Sequence, residues 1–148
     1  MEETSISEFK MKGMRFQYWF TVFAAIPLGV AIILFPEFTR NLFNWKEQDR
    51  LIFGISGSVY LAFGTLSLLG LKDPVKWSPI LLLQFVYKVT WFMAVVGLMA
   101  KRGELELSSA SYLIIGYAAM VAGDLWAVPW GYLLKSRAES GAGLKASR

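Results

Sequence analysis

Apolar residues run through this chain in four long blocks separated by short polar interruptions, with neither the alternation of a half-buried strand nor the spaced stripe of a soluble helix. The first block covers residues 17–35, the second 51–71, the third 77–100 and the fourth 107–134. Each is close to or above the ~20 residues a helix needs to cross a ~30 Å hydrocarbon core. A helix satisfies its own backbone hydrogen bonds and can therefore cross lipid where a loop cannot. The pattern predicts an all-α polytopic membrane protein. The fourth block is polar at its start, which places its entry near Ala110.

The interruptions say how the helices are joined. "LKDPVKW" and "KRGELE" are short, and Pro74 cannot continue a helix. Tight links make consecutive helices antiparallel neighbours, as in an up-down four-helix bundle. The first connection, "FPEFTRNLFNWKEQDR", is longer. Phe38, Leu42, Phe43 and Trp45 alternate with polar residues there at roughly helical spacing, which predicts a short amphipathic helix on the membrane interface. The alternative is a loop whose aromatic residues fold back on the bundle. The expected organisation is an N-terminal segment over 1–16, partly helical at the surface, a transmembrane unit over 17–134, and a disordered basic tail over 135–148.

Basic residues fall mostly at the ends of the blocks. The terminal side carries nine (Lys10, Lys12, Arg15, Lys72, Lys76, Lys135, Arg137, Lys145 and Arg148) against five on the other side. The positive-inside rule then places both termini in the cytoplasm, as for a bacterial inner-membrane protein. Lys10, Lys12 and Arg15 also resemble the basic flank of a signal peptide, but no small-x-small cleavage site follows, so a retained anchor is expected.

Composition narrows the chemistry. Of 148 residues, 55% are hydrophobic, and the six Trp and six Tyr suit the two membrane interfaces. The chain has no Cys and no His, which excludes thiol nucleophiles, thiolate metal sites, imidazole bases and His-ligated haem or zinc. No metal is assigned and no cofactor is identified. The net charge of +4 lies at helix ends and not along a soluble face, so nucleic acid is not an expected partner.

Against this background Lys88, in "LQFVYKVTWFM", stands out. It lies eleven residues past Trp77, while Asp124 lies ten before the end of the fourth block. At about 1.5 Å per residue the two reach nearly the same depth, on helices that a short loop makes neighbours. An unpaired charge there costs roughly 2.5–3.5 kcal/mol. Pairing offsets much of that, with Gln84, Tyr60 or Tyr117 completing the hydrogen bonds. Gln84, Lys88 and Trp91 share one helix face, and Tyr117 and Asp124 share another. These six residues are the candidate binding site. The pair can be a register-fixing ion pair, a polar anchor for a ligand, an ion-coupling site or, last, a Schiff-base amine.

The second block is rich in small residues: Gly57, Tyr60, Gly64 and Ser67 fall near one face, suited to close helix packing. Ser56 and Tyr60 could instead line a cavity. Pro27 is expected to bend the first helix near Phe23, and Pro129 the end of the fourth. Trp126, Trp130 and Tyr132 fit an interfacial aromatic belt.

The stretch "LGVAIILFPEFTRNLF", the small-residue span "LIFGISGSVYLAFGTLSLLGL" and the short later loops resemble the DoxX-like group of small four-helix membrane proteins. The resemblance covers residues 17–134 in pattern. It implies an accessory or assembly subunit, and its redox-associated branch would imply a quinone-linked partner; without His or Cys an independent redox centre is not expected. The functional expectation is a non-enzymatic accessory subunit, partnered by the lipid bilayer and by a larger membrane protein or further copies of itself, and holding a hydrophobic small molecule near Lys88 and Asp124. The alternatives are a dimeric proton- or ion-coupled transporter and an intramembrane enzyme on a lipid-like substrate.

Overall fold

The computed structural model describes residues 6–133, so the expected disordered tail and the first five residues lie outside the described residues. The protein is all-helical, and four of its helices are long and apolar enough to cross a membrane: Glu8–Leu34, Arg50–Lys72, Ser78–Arg102 and Ala110–Ala127. It is an integral membrane protein built as a four-helix bundle. The first and second spans pack along most of their length, the fourth lies against the first and third, and the second touches the third.

The first span starts nine residues earlier than its apolar block. Ser7 caps it, its side chain accepting from the Lys10 backbone N–H at 3.3 Å, and the helix runs unbroken from Glu8 through Pro27 to Leu34. Residues 8–16 are thus the opening of the first span and not a separate surface helix. Burial explains this: Gly13 and Met14 are enclosed, and Lys10 donates to the carbonyl of Trp126 near the end of the fourth span. A cation at a helix C-terminus meets carbonyls that have no partner within the helix.

The fourth span ends at Ala127, short of the expected 134. Pro129 lacks an N–H and forces the preceding residue out of the helical region; Val128 sits at ψ 124°. Beyond it a further helical turn begins at Trp130, whose indole donates to the Leu125 carbonyl at 3.1 Å. Trp126 and Trp130 do more than sit in an interfacial belt. Trp126 packs edge-on against Phe9, and Trp130 edge-on against Phe85. Met14, Tyr18, Leu81, Ala127 and Val128 form the core at the terminal end, with Trp130 packed against it, and Tyr18 there donates to the Pro74 carbonyl at 3.2 Å.

Both readings of the first connection hold in part. Pro36–Leu42 is a short helix with Phe38 and Leu42 exposed. Phe43 and Trp45 fold inward, stacked on each other, with Trp45 edge-on to Phe53 and Phe43 edge-on to Tyr112. The small residues of the second span do what close packing requires. A Cβ at Gly64 would collide with Ile26, and one at Gly70 with the Tyr18 ring, so the first span could not approach so closely if either carried a side chain.

Candidate functional site

Lys88 and Asp124 meet. Lys88 Nζ lies 3.0 Å from Asp124 Oδ2, and both side chains are fully enclosed. The ammonium also donates to Gln84 Oε1 at 3.1 Å, one helical turn back. Two groups not singled out in the sequence complete the set, both from the first span. Gln17 Nε2 donates to Asp124 Oδ1 at 2.8 Å and lies 3.2 Å from the Met120 carbonyl. The Thr21 hydroxyl lies 3.1 Å from Gln84 Oε1 and 3.0 Å from the Gln17 carbonyl, so its single proton serves one of them at a time. Gln84 Nε2 reaches Ser67 Oγ of the second span at 3.5 Å. All four spans contribute, and both carboxylate oxygens have a donor. Such satisfaction is what makes a buried pair tolerable, because desolvation otherwise exceeds the Coulombic gain.

Gln17 reaches Asp124 because Gly123 has no side chain. A Cβ there would occupy the space of the Gln17 carboxamide.

Tyr60 and Tyr117 do not join this network. Their hydroxyls bond to each other one layer further toward the loops around residues 46 and 104. Tyr87 and Trp91 both meet Tyr117 edge-on, at ring-centroid distances of 6.0 and 5.0 Å, and Tyr87 stacks on Phe63. The candidate residues thus divide into a charged layer of Gln84, Lys88 and Asp124, and an aromatic layer of Tyr60, Trp91 and Tyr117.

Two cavities flank the aromatic layer. The inner one, of about 140 Å³, is walled by Phe20, Ala25, Phe63, Tyr87, Leu113 and Met120, and Thr21 and Gln84 are among its lining residues. The larger one, of about 470 Å³, lies toward the loop end and includes Trp91, Ser56, Lys46, Gln48, Glu104 and Glu106 in its walls. Ser56 and Tyr60 therefore do line a cavity, alongside the packing role of their helix. Trp45, Tyr60, Leu113 and Tyr117 belong to both cavities and form the seam between them. Beside the seam, residues Phe92–Val96 of the third span form a π-helical turn, a local widening often found next to functional sites. At the mouth, Lys46 bridges to Glu106 at 2.7 Å, joining the first connection to the start of the fourth helix.

Neither Lys88 nor Asp124 lines the inner cavity, and Gln84 Oε1 already accepts from Lys88 and lies within reach of Thr21. The seam has one orphan: the Trp45 indole N–H is closed off from water and has no acceptor among the described residues. Comparison of the chain with protein-family models, with curated proteins and with solved structures gave no match.

Proposed function

We propose that this protein is a non-enzymatic component of a membrane, an accessory or assembly subunit, that holds a small hydrophobic molecule inside its helix bundle. The observation that carries the reading is the inner cavity: about 140 Å³, walled by aromatic and aliphatic side chains. A space of roughly this size, ~150 Å³, is enough for a benzene-sized molecule. In this reading Lys88 and Asp124 are the rigid floor support beneath the ligand and take no part in its chemistry. Ion coupling would require a path for protons to the pair, and both side chains are fully enclosed. The absence of His and Cys leaves few groups for catalysis, which supports a holding role over an enzymatic one. Kinship with the DoxX-like group, a cytoplasmic location for both termini and a bacterial inner membrane belong to the same proposal, and the basic bias of the terminal side supports the orientation.

The test is thermal unfolding of the detergent-solubilised protein with toluene as probe. Toluene is expected to raise the melting temperature of the wild type. Gly116→Leu is expected to abolish the rise, because Gly116 lines the inner cavity and its Cβ position faces open space. An equal toluene response in both proteins contradicts the reading.

A further inference from the structure

The walls of the inner cavity are apolar, but the seam is not neutral in its hydrogen-bonding demand. The Tyr60 and Tyr117 hydroxyls bond to each other, and each can donate as well as accept, so the pair takes a partner of either kind. The Trp45 indole can only donate, and its N–H is buried without an acceptor among the described residues. The amide oxygen nearest the cavity, that of Gln84, is already engaged by Lys88 and Thr21. Among the described residues no carboxylate lines the inner cavity. The Trp45 N–H is therefore the donor-only group at the seam left without a partner among the described residues, and Lys88 has its charge matched by Asp124.

Resting on the ligand-holding reading above, we infer that the bound molecule is a neutral, single-ring compound, or the ring of a larger one, that carries a hydrogen-bond-acceptor oxygen and presents it to the Trp45 indole N–H. A pure hydrocarbon of the same shape would fill the cavity but leave the indole N–H unpaired. A cation would meet no carboxylate, and an anion no positive charge, among the described residues that line the inner chamber. A buried donor without a partner loses its hydration for nothing, so an oxygen placed there gains selectivity over a carbon group of equal size.

Cyclohexanone and methylenecyclohexane differ only in C=O against C=CH₂ and make the probe pair. Both are titrated into the purified full-length protein, with the indole N–H resonances followed in ¹⁵N-tryptophan-labelled sample. Cyclohexanone is expected to bind about three- to tenfold more tightly, a neutral hydrogen bond being worth about 0.5–1.5 kcal/mol. It is also expected to move one indole N–H signal downfield, the signal missing from Trp45→Phe. Should Trp45→Phe not fold, the Trp45 signal is assigned instead through its ring contacts with Phe43 and Phe53, and a Trp45 signal that cyclohexanone leaves unmoved overturns the inference. Equal binding of the two probes, with no indole shift, overturns the inference and leaves the cavity reading standing. Binding of neither probe overturns both.

Discussion

Gln17, near the start of the first span, donates to Asp124 Oδ1 at 2.8 Å and so ties the first helix to the fourth at the level of the buried charge. A hydrogen bond to a carboxylate is worth about 1.5–3 kcal/mol. Gln17→Leu is expected to lower unfolding stability by about that amount. Thermal or denaturant unfolding in one detergent measures it. Gly123→Ala is expected to act in the same direction, because the added methyl takes the space of the same carboxamide.

The contact between the first two spans makes a graded prediction. Gly64→Ala and Gly70→Ala force a side chain into Ile26 and Tyr18, and each is expected to cost about 1–3 kcal/mol. Gly54 faces open space on the same helix. Gly54→Ala is expected to leave stability unchanged or slightly raised, through helix propensity. Melting temperatures of the three variants side by side provide the check.

Gly103 closes the third span in the left-handed region, φ 71°, its N–H bonding the Ala100 carbonyl and the following N–H the Met99 carbonyl. A side chain is strained there by about 1–2 kcal/mol. Gly103→Ala is expected to destabilise by that amount in the same unfolding assay, and Gly103→Asn by less, since Asn tolerates this conformation.

The sequence and the structure part company at identifiable places. Equal depth and a short loop were enough to bring Lys88 and Asp124 together, because helix rise is constant and the loop leaves little freedom. Gln17 and Thr21 were harder to read. Their helix begins in a polar stretch, so Gln17 looked like an entry residue at the interface; only burial of Gly13 and Met14 carries the packed helix back to Glu8. The early end of the fourth span follows from Pro129, whose effect a hydropathy pattern does not register. The inward fold of Phe43 and Trp45 depends on tertiary packing against Phe53 and Tyr112, which local spacing does not contain. Tyr60 and Tyr117 were placed with the charges, yet their hydroxyls pair with each other instead.

The absence of native cysteine makes orientation directly testable. Single cysteines placed at Asp73 and at Glu104 lie at opposite ends of the bundle. With both termini cytoplasmic, a membrane-impermeant thiol reagent applied to intact cells is expected to label the Glu104→Cys protein and spare Asp73→Cys. The reverse labelling pattern contradicts the orientation.

The account turns on whether Lys88 and Asp124 support the bundle as a pair. A double-mutant cycle of Lys88→Met, Asp124→Asn and the combined variant, followed by unfolding in one detergent, measures this most directly. Each single change strands a buried charge and is expected to cost about 3–5 kcal/mol, while the double variant recovers much of the loss. Single variants as stable as the wild type, or a double variant whose loss equals the sum of the two, would contradict it.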